Sequence, residues 1–539
     1  MPIAVDEKRL IFSLKTPNTS YIFGILDKRL PVHIHYGKHI ECLPDIEDIF
    51  SMDRCGSVPA WVGENGYVFD EALPQEYPVY GSPDLKTPAF HAEYEDGSRI
   101  THWEYSCFRI YNGKKKLSGL PATYVDNESD AETLEVEFRD KKMGLTAVLK
   151  YTCFNNIDAI ARSVCFKNCG NDNIVLKSVQ SFCIEFMSKN FNLSYLAGMA
   201  VREAHIHTVS LDNGSFYIDS KRGRSSHHFN PFIMLAEKNA DENHGDVFGF
   251  SLIYSGNYVA SACTDGADMT RVFMGINPFD FSWNLNSGEE FQTPEAVLVY
   301  SPNGIGEMSC TYHKLYRNNL CRGKYKNILR PVLINNWEAT YFDFNEEKIL
   351  DIASRAKKAG IDMLVLDDGW FGKRDDDTTS LGDWEVNTDK LPNGISGLAE
   401  KIDAMGMKFG LWFEPEMISP ISKLYEKHPE WCIGVNGRKR SMGRNQYVLD
   451  LSRKDVCDFI YDTVSHYLST AKISYIKWDM NRSITDLGSV ALESNQQGEL
   501  AHRYVLGLYS VLERLTNDFP DILIEGCCGG GGRFDPGML

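Results

Sequence analysis

A chain of 539 residues, 43% apolar and 24% charged, is too long for one ordinary hydrophobic core and has the make-up of a soluble globular protein of about two to four domains. Its formal net charge of −18 sets aside nucleic acid and anionic membrane as partners, because both call for a basic patch, and favours a neutral or cationic ligand. No run is long and apolar enough for a membrane span. Residues 1–8 lack a basic-then-apolar signal, and the 14 cysteines form neither a disulfide framework nor paired zinc-site spacings. A cytoplasmic protein with reduced thiols, no metal and no cofactor is the expectation.

Residues 1–330 read as strands. Runs rich in Val, Ile, Tyr and Phe, such as Tyr21-Ile22-Phe23-Gly24-Ile25, 145–151 and 248–254, are broken by the turn pairs Asn112-Gly113, Asn213-Gly214 and Ser287-Gly288. The pattern predicts a large antiparallel β-sandwich domain of more than one sheet layer. Two His-x-His pairs, His33/His35 and His205/His207, have no acidic or cysteine partner at metal-site spacing and are read as ordinary sheet histidines.

From residue 331 to 539 the period changes. Buried strand runs at 331–337, 363–370, 409–416, 473–479 and 521–527 alternate with amphipathic helices near 345–359, 398–405, 455–470 and 500–517. Strand–helix units in series predict a parallel (β/α) barrel of the TIM type, of which about the first five units are present before Leu539. A doubly wound open sheet competes, but no glycine-rich phosphate turn follows the first strand. Gly529-Gly530-Gly531-Gly532 is not followed by Lys-Ser/Thr, so it is no P-loop. Three further strands are expected beyond the end of the sequence.

Side chains alternate along a strand, so Tyr475, Lys477 and Asp479 share one face, and Ile476 and Trp478 the other. The carboxyl-terminal mouth of such a barrel would collect Trp337, Asp367, Asp368, Trp370, Trp412, Glu414, Glu416, Lys477, Asp479, Asn481 and Arg482. Sugars present hydroxyls at the ring edge and C–H bonds on the faces. Carboxylates with tryptophans, and few histidines, therefore suit a carbohydrate. Glycoside hydrolysis needs two carboxyl groups flanking the bond, and Lys477 beside Asp479 would hold that carboxylate as the anion a nucleophile requires. A strand-end ion pair, a capped acidic loop and core tryptophans are the bland alternatives. A metal-dependent hydrolase using Asp367, Asp368 and the run Asp375-Asp376-Asp377 is a further one, weakened by the lack of histidines at the strand ends.

Several of these runs resemble bacterial α-galactosidases of glycoside hydrolase family 36. They are Asn335-Asn336-Trp337-Glu338-Ala339-Thr340, Leu366-Asp367-Asp368-Gly369-Trp370-Phe371, Leu411-Trp412-Phe413-Glu414-Pro415-Glu416, Gly443-Arg444-Asn445-Gln446, Lys477-Trp478-Asp479-Met480-Asn481-Arg482 and Glu525-Gly526-Cys527-Cys528-Gly529-Gly530-Gly531. The likeness continues into the first half, through Leu73-Pro74-Gln75-Glu76-Tyr77-Pro78 and Met274-Gly275-Ile276-Asn277-Pro278-Phe279-Asp280. The resemblance implies a β-supersandwich followed by the barrel, and retaining hydrolysis of terminal α-galactosyl groups, as in melibiose and raffinose, with Asp479 as nucleophile. It implies that Asp367, Asp368 and Lys477 bind the outer hydroxyls, Trp412 forms an apolar wall, Arg444 a rim contact, and Cys527 and Gly529 the small pocket around the 2-hydroxyl. Trp337, Trp478 and Asn481 join the sugar-binding set. Asp53 matches a residue of the first half that reaches the sugar, an arrangement associated with a homotetramer.

Two departures stand out. Ala200 occupies the position of a family tryptophan, removing an aromatic wall. The family's acid/base aspartate would lie beyond Leu539, so this chain is expected to be a truncated member that hydrolyses natural galactosides poorly, with Glu414 or Glu416 as the alternative acids. A galactoside-binding fragment and a transglycosylase are the other readings.

Overall fold

The structure is a computed structural model that describes residues 2–50, 58–63 and 66–539. It divides into two compact units. One comprises Met1–Lys221, His228–Cys321 and Asp535–Leu539, the other Arg222–His227 and Arg322–Phe534. The division falls at 321/322 rather than at the expected 330/331, and two short segments, 222–227 and 535–539, belong to the unit that the rest of their neighbourhood in sequence does not.

The first unit contains antiparallel sheets of four, ten and six strands. The strand Ala131–Asp140 shows why. Leu134, Val136 and Phe138 alternate with Glu135, Glu137 and Arg139, so one face is apolar and buried. It pairs in register with Leu145–Phe154 (Leu145 opposite Asp140), and the hairpin closes at Gly144. That residue has φ +68°, and a Cβ on it would lie 2.5 Å from the Gly170 Cα. The helix Gly304–Asn319 lays Met308, Tyr312 and Leu315 onto the core beside Val297 and Val299. Gly113, Gly214 and Gly288, the expected turn glycines, all have positive φ. His33 is buried against Glu76, a partner 43 residues away that local spacing could not reveal.

In the second unit β1 (Leu333–Asn335), β2 (Met363–Leu366), β3 (Lys408–Phe413), β4 (Tyr475–Trp478) and β5 (Leu523–Gly526) form one parallel sheet in chain order. Register runs Leu333–Met363, Met363–Lys408, Gly410–Tyr475 and Tyr475–Leu523. Between the strands come α1 (Glu346–Lys358), α2 (Gly394–Ala404), α3 (Lys454–Thr470) and α4 (Leu500–Asp518). A doubly wound sheet reverses its strand order at a switch point. This one never reverses, which is the winding of part of a barrel.

Local chemistry sets the helices. Asn345 caps α1 by accepting the Lys348 N–H, Glu346 and Glu347 open its first turn, and Arg355, Lys357 and Lys358 close its last, each matching the helix dipole. Ile349, Ala353 and Ala356 form its buried stripe. On the inner face of the sheet Met363, Val365 and Tyr475 pack with Leu333 and Leu523. Gly410 leaves room there, since a Cβ would come within 2.9 Å of the Tyr475 ring. The strands are shorter than the apolar runs suggested, so the polar residues that follow them stand just past the ladder.

Candidate active site

The inner face carries apolar residues at one end and polar ones at the other. Continuing the alternation brings Asn335, Asp367, Trp412, Glu414, Lys477, Asp479 and Cys527 to the carboxyl ends of five adjacent strands. Asp479 is 5% exposed and held on both oxygens. Oδ2 accepts the Trp412 indole N–H at 3.2 Å, and Oδ1 accepts the Met480 N–H at 3.0 Å and the Gly529 N–H at 3.5 Å. Its own N–H donates to the Phe413 carbonyl at 2.8 Å, which ties the strand end in place. Burial first, and then the charge of Asp479, push the Cys527 thiol up to about 12, so it remains a protonated donor to that carboxylate.

Lys477, expected beside Asp479, feels that carboxylate's charge but makes its direct ion pair elsewhere. Its ammonium pairs with Asp367 Oδ2 at 2.7 Å, the oxygen that also accepts the Asn335 amide. Burial lowers the lysine's affinity for its proton, but the charge and hydrogen bond of Asp367 together with the charge of Asp479 outweigh this, and the net shift is upward. Asp368 receives a forked contact from Arg374, with Nε and Nη2 each 2.9 Å away. Burial still carries its carboxyl above the usual range. Both aspartates of the pair are thus already matched with a cation. In the acidic run Asp375 pairs with Lys390 and Asp377 accepts from Asn445. Among the described residues no cluster of His, Cys, Asp and Glu has the arrangement of a metal site. The donor set is that of hydroxyl recognition.

The two glutamates after β3 differ sharply. Glu416 is tied to Arg533 (2.8 and 3.1 Å), Tyr504 and Trp478 and is a structural anion, which removes it as an acid candidate. Glu414 Oε1 accepts the Gln446 amide and the Asn481 N–H, both at 2.6 Å. Burial, then the charge of Asp479, push its carboxyl up to about 8.

Trp412 is buried with its ring parallel to Phe371. Trp370 sits behind it as a packing residue, donating to the Trp412 carbonyl at 2.9 Å. Trp337 is half-buried, edge-on to Tyr341 and Phe342. Arg444 is exposed on a turn where it and Asn445 both have positive φ. Its charge draws down the carboxyls of Asp368 and Glu414, which places it at this rim. Arg482 is not at the mouth; it is buried and braces the carbonyls of Ser441 and Gln446. Trp478 is corrected as a sugar contact. It lies on the opposite face of β4, fully buried, with its N–H on Glu416 at 2.8 Å. Asn481 and Gly529 are neighbours: a Cβ on Gly529 would lie 3.7 Å from the Asn481 amide oxygen. Asp53 lies outside the described residues. Asn335, Arg374 and Gln446 were missed from sequence. The alternation Leu333, Asn335, Trp337 could have found the first.

Buried carboxyl groups beside tryptophans, at the carboxyl end of a parallel barrel sheet, make up a site of the glycoside hydrolase kind. Comparison with known proteins agrees. The Melibiase family model matches residues 290–539, and that of the glycosyl hydrolase family 36 N-terminal domain matches 29–286. α-Galactosidase AgaA of Geobacillus stearothermophilus is 49% identical over all of this chain and 74% of its own length. Mel36A of Lactobacillus acidophilus is 42% identical over 99% of this chain and 73% of its own. The crystal structure of AgaB from G. stearothermophilus superposes with a TM-score of 0.97 at 49% identity, covering 100% of this chain and 74% of that one. An AgaA variant in complex with raffinose gives 0.96 at 49% identity, covering 98% and 74%. The chain belongs to glycoside hydrolase family 36.

Proposed function

We propose that this chain is a retaining α-galactosidase acting on terminal α-galactosyl groups of raffinose-type oligosaccharides. The observation that carries the reading is Asp479. It is oriented on both oxygens by Trp412, Met480 and Gly529, in a bowl where Asp367 and Asp368 are paired with cations and burial raises the Glu414 carboxyl. It attacks the anomeric carbon as the bond to the leaving oxygen breaks; an acidic phenol leaves as its anion, and a sugar alkoxide takes its proton from water. Water then reverses the process and frees galactose. Asp367 and Asp368, with Lys477 and Arg374 behind them, accept from the outer hydroxyls, and Trp412 and Trp337 face the apolar side of the ring. The relatives named as α-galactosidases, and the neighbour crystallised with raffinose, support this substrate class. A homotetramer and a cytoplasmic location belong to the same proposal; sedimentation and fractionation test them.

The test uses a dinitrophenyl α-D-galactoside, whose leaving group needs little of the roughly 10²- to 10⁴-fold help that a general acid supplies. The expected result is release of the phenol, with a galactosyl group captured on Asp479 and located by mass spectrometry. Asp479→Asn abolishes both. Release that survives this substitution, or a galactosyl group on another residue, sinks the assignment. Galactose binding with no release supports a binding protein instead.

A further inference from the structure

Two peptide groups flank Asp479, and one side chain stands behind both. The Cys528–Gly529 peptide directs its N–H to Asp479 Oδ1 at 3.5 Å, and the Met480–Asn481 peptide directs its N–H to Glu414 Oε1 at 2.6 Å. The carbonyl ends of the same two peptides accept from a single nitrogen, Arg224 Nη1, at 3.3 Å (Cys528) and 3.1 Å (Met480). That nitrogen also meets Cys528 Sγ, and the thiol donates to the Met480 carbonyl at 3.0 Å. Nη2 lies 3.5 Å from Ser483 Oγ. Arg224 is 5% exposed, so these contacts are made away from water.

His227 supplies a second fixed point. Its Nε2 lies 2.8 Å from the Gly529 carbonyl, and because a carbonyl can only accept, this nitrogen carries the proton. Main-chain bonds close the segment onto the same loops: Ser226 N–H to the Gly532 carbonyl at 2.8 Å, and Ile484 N–H to the Arg222 carbonyl at 2.9 Å. The fit is tight. A Cβ on Gly532 would sit 2.5 Å from the Cys528 oxygen and 2.7 Å from the His227 ring, and one on Gly223 would sit 2.6 Å from Ile484.

We propose that Arg224 and His227, on the segment Arg222–His227, are positioning residues for the nucleophile: Arg224 holds the two peptides whose N–H groups face the carboxylates of Asp479 and Glu414, and His227 holds the next peptide, Gly529–Gly530, and with it the glycine turn. A guanidinium at the carbonyl end of a peptide and a carboxylate at its N–H end line up charge, dipole and charge, and hydrogen bonds in such a chain reinforce one another. The 3.5 Å contact to Asp479 is at the long limit for a hydrogen bond, so a small shift of the glycine turn removes it. No role had been read for either residue in the sequence, where both lie among the sandwich strands.

The inference rests on the reading of Asp479 as nucleophile. Its test measures first-turnover phenol release from the dinitrophenyl galactoside, together with galactose Kd, for the whole chain and for Arg224→Met, His227→Leu and His227→Gln. Misplacing a reacting group by about 1 Å costs on the order of 10²-fold. Arg224→Met and His227→Leu are therefore expected to slow release by on the order of 10²-fold, with galactose Kd changed by less than about threefold. His227→Gln, whose amide can donate to the Gly529 carbonyl, is expected to regain most of the rate. Unchanged release in Arg224→Met and His227→Leu overturns the inference, as does equal slowing in His227→Gln and His227→Leu. If Arg224→Met does not fold, the His227 pair decides alone. A wild-type chain that releases no phenol overturns the functional reading and this inference with it. Loss confined to the variants leaves that reading standing.

Discussion

Lys477 and Asp367 form an ion pair, Nζ to Oδ2 at 2.7 Å, across β3, which separates their two strands. The lysine's direct contact is thus with the acid that would hold the sugar, while the one that would attack it acts on the lysine through its charge. The hydrogen bonds to Asp479 come from the neutral donors of Trp412, Met480 and Gly529.

Removing the cation strands a buried carboxylate. Lys477→Met is expected to destabilise the protein by about 3 kcal/mol, read from the urea midpoint at unchanged slope. Adding Asp367→Asn removes the charge that lacked a partner and should restore roughly half of that loss. If the two substitutions simply add, the pair is not coupled.

Trp412→Phe keeps a ring against Phe371 but deletes the N–H on Asp479 Oδ2. A hydrogen bond to a charged group is worth about 1.5–3 kcal/mol, so first-turnover phenol release should fall about 10- to 100-fold. Galactose affinity should change far less. A loss confined to affinity would assign the indole to the sugar alone.

Glu414 makes stability depend on pH. Its carboxyl is raised from 4.5 to about 8, chiefly by burial. Below pH 4.5 the folded and unfolded chains both hold this proton. Between 4.5 and about 8 only the folded chain does, so this group's contribution falls as pH rises, and it levels off above about 8. Glu414→Gln should flatten that slope, and its melting temperature relative to wild type should be higher at pH 8 than at pH 5. An identical difference at both values refutes the assignment.

Trp478→Phe separates packing from recognition. The change takes one donor from Glu416, which keeps Arg533 and Tyr504. Expected are a stability loss of about 1–2 kcal/mol and unaltered galactose affinity. Weaker galactose binding at unchanged stability would return Trp478 to the sugar site.

The barrel half was legible because its strands are apolar runs that end in polar residues, and the two-residue period of a strand already put Lys477 and Asp479 on one face and Trp478 on the other. Which cation meets which carboxylate was not legible. Lys477 is two residues from Asp479 and 110 from Asp367, and only the sheet order turns the distant acid into the partner. Glu414 and Glu416 look alike in sequence. Burial beside Asp479 raises the carboxyl of one, while Arg533, 117 residues on, holds the other. Arg224 and His227 had no local signal, because the segment that carries them is bounded by β-rich sequence on both sides.

That segment bears on how the gene can be cut or recombined. A fragment starting at residue 322 would encode the strands and helices of the second unit without the six residues, 222–227, that complete it. A chimera that joins residues 1–321 of this chain to the second unit of a relative would set Arg224 and His227 against the other parent's loop. Crossovers that inherit 222–227 and 528–532 from the same parent are the ones expected to yield working hybrids.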